Sequence, residues 1–460
     1  MTDYIVAIDL GTSHITGIVG EKKMNGQFTI IACETEDPAS CIRRGIIYNR
    51  DNTATRVKSI IKKLESHLKG DFIDKVYIGV NGQSLHTVDH IEVKEIAEGA
   101  AITKEDLDAL KKQCEEYRLD LQDVLDIVPA VYYIDGRRDT NPVGVPCKRF
   151  EAHYKLVVGR SSIRRDIVKS INELAGKEIA GIVVSPLALA DAMLSREEKD
   201  LGCALVDFGA GVTSVSVYKD GDLQQMSVIP LGGNLITRDI TSMQLTEAEA
   251  ENLKKEYGST IILKEDEDEQ IRVNMEGAEC IIEKKDLNAI IEGRAREIVE
   301  NVYARINETI DIKSLASGIV IAGCASELKN LPDLIREKCK VKVRPSTIRG
   351  GLVDGSDDML GNPSYMLAIS LMLKGTEQCI SRSSSVTENV PDDNKNVVEL
   401  EEEIESSGGF FRRKKSGKNG YSDKGSGSAG VKSESGGKSG GKSDGEGGLG
   451  GFFGRLFDES

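Results

Sequence analysis

Short apolar runs separated by turn residues open the chain. They predict strands over Tyr4–Leu10, Ile15–Gly20 and Phe28–Cys33, with Asn25-Gly26 in the hairpin turn before the third. The period then changes. Val57, Ile60, Ile61 and Leu64 recur at helical spacing and predict a helix from about Asn52 to Leu68, followed by a strand over Lys75–Val80. Residues 82–160 read as an inserted unit. Within it, Thr103 and Asp106 cap a helix reaching about Tyr117, and Asp126–Ile134 and Glu151–Val158 read as strands. A second set of three strands covers Cys203–Asp207, Val212–Tyr218 and Gln224–Ile229, its last turn carrying Asp220-Gly221. Thr246 and Glu249 cap a helix ending near Gly258, and a long amphipathic helix runs from about Lys284 to Ile310. Gly318–Ala322 has the pattern of a buried strand, and Asn362–Leu373 is the last clear helix.

The pattern repeats. Ile5-Val-Ala-Ile-Asp-Leu-Gly-Thr-Ser13 and Ala204-Leu-Val-Asp-Phe-Gly-Ala-Gly211 are both apolar strands ending in Asp-x-Gly, each followed by a polar turn and another strand. Two such β-turn-β loops in one α/β chain predict two related halves facing each other across a cleft.

The chemistry-bearing residues fall on these loops. In the first, Gly11 permits a tight turn whose backbone N–H groups, with the Thr12 and Ser13 hydroxyls, can cradle an anion. Asp9 at the strand end can hold a hydrated Mg²⁺. Asp207, Gly209, Gly211 and Thr213 repeat that logic in the second loop. Either loop alone would be an ordinary hairpin turn; the pair in matching contexts favours a phosphate site. Gly232, Gly233 and Asn234 precede a helix, where glycines fit phosphate or ribose contact or simply make a turn. Glu251 shares a helix face with Lys254 and Lys255, which could meet a ribose and base or form a solvated charged face. Gly323, Ala325 and Ser326 follow the Gly318–Ala322 strand in a small-residue turn, suited to close approach of an adenine or to tight packing. His86 and His90 stand four apart, but flanking Val, Ile and Thr predict a strand that separates them, so a metal site is not expected there.

Composition changes the picture at the C-terminus. The chain has 460 residues and 47 Gly, of which 17 lie from Gly408 onward, together with five of the nine Phe. So Gly-rich a segment cannot bury enough surface to fold, and it reads as a disordered tether. Residues 386–407 carry a net charge of −7 and residues 408–460 a net of +4, leaving −12 of the chain's −15 on the body. An acidic body argues against nucleic acid as a partner. Nine scattered Cys without a CxxC suit a reducing cytosol, the N-terminus lacks a secretory pattern, and no run of ~18 apolar residues exists to span a bilayer. At the tip, Leu449, Phe452, Phe453, Leu456 and Phe457 share one helical face, with Arg455 beside them. That segment is too short to cross a membrane and is built to lie in its interface. Phe410-Phe-Arg-Arg-Lys-Lys415 is either a second lipid contact or a solvated charge run.

Taken in order, the motifs resemble the FtsA family of bacterial cell-division proteins. They are loop one, the inserted unit, Gly181-Ile-Val-Val-Ser-Pro-Leu-Ala-Leu-Ala-Asp191, loop two, Val228-Ile-Pro-Leu-Gly-Gly233, Ala250-Glu-x-Leu-Lys254 and Ile321-Ala-Gly-Cys324. Val128–Asp135 with Asn141-Pro-Val-Gly144, Glu197–Gly202 and the aromatic tip add to the likeness, which covers about residues 4–375 and 449–460. The resemblance implies an α/β, actin-like fold of duplicated ribonuclease H-like domains, with an FtsA-type insertion and a disordered C-terminal tail. The implied division is 1–81, 161–195 and 345–375 (1A), 82–160 (1C), 196–230 and 311–344 (2A), 231–310 (2B), a 376–448 linker and a 449–460 membrane helix. It also implies an ATP-binding protein that polymerises at the cytoplasmic face of the plasma membrane and tethers FtsZ and other division proteins at the septum. By position, Asp9, Gly11, Thr12, Ser13 and His14 would hold the β-phosphate side, with Asp207, Gly209, Gly211 and Thr213 on the γ-phosphate and Mg²⁺. Gly232, Gly233, Asn234, Glu251, Lys254, Lys255, Gly323, Ala325 and Ser326 would line the nucleoside. Asp9 and Asp207 would be the metal ligands. No residue stands out as a water-activating base, which leaves Asp191, in the connecting helix, beside Asp207 as the candidate catalytic carboxylates. There are departures: His14 stands where the family commonly has Lys, Ser214 where many members have an acid, and Ala322 and Cys324 break a Gly-Gly pattern. A pilus-assembly relative or a sugar or acetate kinase of the same fold would share the cleft. The kinase reading does not explain the aromatic tip.

Overall fold

The computed structural model describes residues 3–381 except 98, 276, 277 and 356. The predicted linker starts later than 376, because Ile380–Ser381 pair with Phe72–Ile73; the rest of it and the tip, including Leu449, Phe452, Phe453, Arg455, Leu456 and Phe457, lie outside the described residues. Within them the predicted elements form close to their expected bounds. The opening strands run over Asp3–Leu10, Ile15–Lys22 and Phe28–Glu36, the next helix over Arg50–Glu65, and the second triplet over Cys203–Phe208, Thr213–Lys219 and Asp222–Ile229.

Two sheets organise the body. In the first, the strand order is Glu178–Val184, Lys75–Val80, Asp3–Leu10, Ile15–Lys22, Phe28–Glu36 and Val353–Asp354. Ile5, Val6, Ala7 and Ile8 are all buried, without the alternation of a one-sided sheet, because helices cover both faces. Two glycines show how closely those helices approach. A Cβ on Gly17 would lie 2.3 Å from Ile60 of the Arg50–Glu65 helix, and one on Gly20 would lie 2.2 Å from the Met372 sulfur of the Pro363–Met372 helix.

The second sheet has nine strands, and its central part repeats the wiring of the first. In each, three strands pair antiparallel in sequence and the first of them pairs parallel, on its other side, with a later strand. That later strand is Lys75–Val80 in one half and Gly318–Ala322 in the other. Register repeats too: Asp9 lies opposite Thr16 and Asp207 opposite Ser214, with Leu10–Ile15 and Phe208–Thr213 as the pairs closing the two loops. The Lys284–Asn307 helix, one turn shorter than its pattern predicts, packs Ile291, Ala295, Ile298 and Val302 against this second half and is about 36 Å long at 1.5 Å per residue.

Strands of the inserted unit extend the second sheet. The junction is narrow: a single residue pair, Ser227 with His86, supported by Val228 N–H donating to the Leu85 carbonyl at 3.1 Å and Met226 N–H donating to Thr87 Oγ1 at 3.0 Å. The Arg138 guanidinium adds an ion pair to Asp222 and a 3.2 Å bond to the Asp220 carbonyl. Inside the unit, Thr103 and Asp106 form the expected reciprocal cap of the Lys104–Glu116 helix. His86 and His90 share the strand His86–Glu95, His90 is bonded to Glu92 at 2.7 Å, and no metal-binding cluster occurs among the described residues. Helices that escaped the sequence pattern include Ser161–Val168, which continues as a π turn over Lys169–Ala175, Arg196–Leu201 and Leu331–Cys339.

Candidate functional site

The mirrored loops meet face to face. Each spans four residues between a closing strand pair, Gly11–His14 in one half and Gly209–Val212 in the other. A Cβ added to Gly211 would sit 2.6 Å from Thr12 Oγ1, so the loops touch, and only glycine fits that approach. Thr12 Oγ1 also accepts a 3.1 Å bond from the Gly45 N–H, which fixes the first loop to its own lobe.

Asp9 and Asp207 stand at the base of these loops, both buried, and among the described residues no cation lies within salt-bridge distance of either. Burial, and then the neighbouring charge of Asp207, push the Asp9 carboxyl up to about 7. Burial alone pushes Asp207 up to about 6. Two uncompensated buried carboxylates side by side are a costly arrangement unless a cation joins them. As hard oxygen donors at the edge of an anion cradle, they fit Mg²⁺ carried in with a phosphate ligand.

The other predicted residues gather around loop two, several in supporting roles. The N–H groups of Gly233 and Asn234 donate to the carbonyls of Gly209 and Ala210 at 3.0 and 2.8 Å. Those amides begin the Gly233–Ile240 helix and, of the two readings open from sequence (phosphate or ribose contact, or a turn), their bonds serve the turn by holding loop two in place. Thr213 is fully buried and its hydroxyl donates to the Leu231 carbonyl at 2.8 Å, so it braces the loop. Lys254 is buried, with Nζ 2.5 Å from Glu251 Oε2, 2.8 Å from Thr237 Oγ1 and 3.3 Å from the Gly233 carbonyl. Burial pulls its ammonium pKa down against the pull of Glu251. For Glu251, burial acts upward, but hydrogen bonds from Lys254 and Thr237 outweigh it and the net direction is down. Lys255 remains exposed, 3.3 Å from Glu251 Oε1.

Gly323, Ala325 and Ser326 close the far side. Ser326 Oγ donates to the Gly323 carbonyl at 2.7 Å, and the Ala325 methyl lies 3.1 Å from where a Gly233 Cβ would be. Gly323 has φ 85° and ψ 158°, a conformation essentially reserved to glycine, and a Cβ there would lie 2.4 Å from Asp207 Oδ1 and 2.5 Å from the Phe208 carbonyl. Gly323→Ala is expected to cost at least about 2 kcal/mol in urea denaturation and to displace Asp207. Unchanged stability would show that this turn can relax.

Residues not singled out from sequence also reach the site. Thr237 links Lys254 to Glu251, and the Ser364 backbone, at the start of the last helix, bonds the His14 ring; Cys324, noted above as a departure from the family pattern, lies within the field of Asp207 and Asp9. Burial, with the Lys255 charge, outweighs that bond and lowers the His14 pKa, so the imidazole is neutral at neutral pH and supplies no fixed charge. Ser13 Oγ lies 2.9 Å from its Nδ1. The Asn362-Pro363 helix start is readable in sequence, but its arrival in this cleft is not.

Asp191 is a correction. Its carboxylate is bound by Lys199 at 2.6 Å and by Lys374, and its charge acts on Tyr218. Tyr218 pairs with Cys203, at the end of the strand away from Asp207, about 13 Å along at the usual strand rise. Burial would push the Asp191 carboxyl up, but the two ammonium groups outweigh it and hold it below the usual range. Locked there, it joins the two halves and has no access to the loops.

Duplicated sheets with mirrored Asp-x-Gly loops facing across a cleft define an actin-like protein. A chain of the PilM–PilN type IV pilus biogenesis complex shares the fold, with a TM-score of 0.56 at 17% identity over 81% of this chain and 98% of its own. The family model "Cell division protein FtsA" matches residues 204–370, and "SHS2 domain inserted in FTSA" matches residues 82–158. The FtsA of Porphyromonas gingivalis is 31% identical over 82% of this chain and 80% of its own length; that of Bacillus subtilis is 29% identical over 80% and 82%. The chain belongs to the FtsA family of cell-division proteins.

Proposed function

We propose that this protein binds ATP with Mg²⁺ between the mirrored loops, polymerises at the cytoplasmic face of the plasma membrane and anchors the FtsZ ring and its division partners there. The single observation that carries the nucleotide reading is the pair of buried, unpartnered carboxylates, Asp9 and Asp207, at the base of the touching loops. Asp9 and Asp207 would hold Mg²⁺, which would supply the positive charge they lack. Asp9, Gly11, Thr12 and Ser13 would face the β-phosphate, and Asp207, Gly209 and Gly211 the γ-phosphate. Gly232, Gly233, Thr213 and Asn234 position loop two, while Glu251, Lys254, Lys255, Gly323, Ala325 and Ser326 form the nucleoside wall. With Asp191 held at the far end, no group among the described residues lining the loops is singled out to activate water, and we propose at most weak hydrolysis.

Attachment to the membrane is assigned to residues 449–460, lying in the interface as an amphipathic helix, because no described helix is long and apolar enough to cross a membrane and the tip sequence has one apolar face. One short helix binds marginally, and polymerisation multiplies it. The test mixes the purified protein, FtsZ and vesicles containing anionic lipid. FtsZ should sediment with vesicles only when this protein and Mg-ATP are both present. FtsZ left in the supernatant while this protein sediments would overturn the anchoring role.

A further inference from the structure

Among the described residues, three two-residue hairpin turns have both turn residues at positive φ. Asp135-Gly136 has φ of 47° and 81°, Asp220-Gly221 of 54° and 83°, and Arg44-Gly45 of 49° and 73°. That is the backbone of a type I′ turn, whose first position suits Asn, Asp or Gly, because a short polar side chain eases the left-handed conformation. Two of the turns carry the expected Asp. The third carries Arg, whose long side chain gives no such help. A residue that breaks a local rule its counterparts obey marks a position under another demand.

The position of this turn shows what the demand is. Ile42 and Ile47, the outer pair of its hairpin, are buried and anchor it. At the tip Gly45 is wedged: its N–H donates to Thr12 Oγ1 at 3.1 Å, and a Cβ on it would lie 3.1 Å from the Gly82 Cα. Thr12 is also the residue against which Gly211 of loop two packs, so the hairpin tip stands where the two loops touch. With Gly45 N 3.1 Å from Thr12 Oγ1, bond lengths alone put the Arg44 Cα within about 6 Å of that oxygen, and a guanidinium reaches farther than that. Arg44 is exposed, and among the described residues no carboxylate lies within salt-bridge distance of it. Its guanidinium donates to Gln83 Oε1 at 3.3 Å, a long bond at the surface, whereas Arg43 beside it is seated 3.6 Å over the Tyr48 ring. Around the loops other positive charge is already committed. His14 is neutral at neutral pH, Lys254 is buried against Glu251, and Lys255 is held by the same carboxylate. A triphosphate carrying one Mg²⁺ is still an anion, and Asp9 and Asp207 add to its charge.

We propose that Arg44 is a phosphate-binding residue: when nucleotide enters, its guanidinium leaves Gln83 and bonds the phosphate oxygens at the mouth of the two loops. The assignment rests on the reading of the cleft as an ATP site. A guanidinium is always charged, and its planar fork of donors matches phosphate. Its bond to the neutral Gln83 amide is exposed and long, so it exchanges readily for the stronger bonds to an anion. The turn explains why the cation sits on a hairpin tip: anchored by Ile42, Ile47 and Gly45, it mounts the side chain at a fixed place, which a flexible loop would not do.

Arg44→Asn in the full chain separates fold from ligand. Asn is the better residue for this turn, so the urea midpoint of the nucleotide-free variant should equal or exceed that of the wild type. Its Kd for Mg-ATP, measured by titration calorimetry, should nevertheless rise at least tenfold, through loss of a charge-assisted contact. Gln83→Ala removes the competing bond and should leave Mg-ATP binding as tight or tighter; if the Arg44–Gln83 bond served structure alone, both variants would weaken binding alike. Contact is read directly in the wild type. Modification of Arg44 by phenylglyoxal, followed by mass spectrometry, should slow at least threefold with saturating Mg-ATP and not with adenosine. Unchanged Mg-ATP affinity in Arg44→Asn would overturn the assignment. So would equal weakening in Gln83→Ala, or modification of Arg44 indifferent to Mg-ATP. Wild-type protein that binds no Mg-ATP at all would overturn the ATP reading of the cleft and this assignment with it, an outcome distinct from the other three.

Discussion

Asp207→Asn should make the nucleotide-free protein more stable at pH 8 and abolish its stabilisation by Mg-ATP. The first half follows from burial. An Asp whose folded pKa is raised is harder to ionise in the native state than in the unfolded chain. Below the unfolded value near 4 both states hold the proton and nothing is lost. As pH rises from there through about 6 the unfolded state gains by ionising more easily, and above about 6 the whole cost is present. At 1.36 kcal/mol per pH unit that cost is up to about 3 kcal/mol, and removing the charge also relieves Asp9. Asn matches the shape but leaves an amide with few partners, so the net gain should be about 1–3 kcal/mol at pH 8 and vanish near pH 4. The second half follows from the proposed Mg²⁺ site: one carboxylate cannot replace two. The wild-type protein at a hundredfold excess of nucleotide over Kd should gain about 2.7 kcal/mol, and the variant close to none. Urea denaturation at both pH values, with and without Mg-ATP, reads both effects. A variant destabilised at pH 8, or one still stabilised by Mg-ATP, would remove Asp207 from the metal site.

Phe452→Glu/Phe453→Glu should release the protein from anionic vesicles. Each Phe withdrawn from the apolar boundary forfeits about 1.5–3 kcal/mol, and a tenfold change in binding needs only about 1.4. Even after avidity restores part of the loss, the bound fraction in sedimentation should fall at least tenfold. Arg455→Glu should cost only a few-fold, because Asp458 and Glu459 already oppose attraction to an anionic surface and the proposed attachment rests on insertion rather than charge. If Arg455→Glu were the more damaging change, the tip would bind by charge. The Mg-ATP stabilisation of the first experiment should be unchanged in both, which separates tether from cleft.

How much of this was legible beforehand depended on how local each cause was. Asn25-Gly26 and Asp220-Gly221 fix their hairpins through turn geometry, Thr103 and Asp106 cap their helix within one turn, and Val57 to Leu64 carry a period no strand could use. The two Asp-x-Gly loops were visible as a repeat for the same reason. The Lys254–Thr237–Glu251 network was only half visible, since Glu251 and Lys254 share a helix turn while Thr237 arrives from a neighbouring helix. Gly233 and Asn234 looked like anion donors because nothing local shows that loop two takes their N–H groups first. Asp191 looked available because Lys374, its partner, lies 183 residues away.

Most strands and helices, the duplication and the division of charge along the chain were legible in the sequence alone, since each depends on neighbours within a few residues; the Ser161–Val168 and Leu331–Cys339 helices were not. Only the tertiary structure decided which carboxylates are left without a cation. Asp9 and Asp207 converge, unpaired, because two hairpins with the same register face each other, while Asp191, on a helix between the halves, is neutralised by lysines at the other end. The charge of a residue is a local property, but its electrostatic environment is set by every segment folded against it, and that sum exists only once the sheets are assembled.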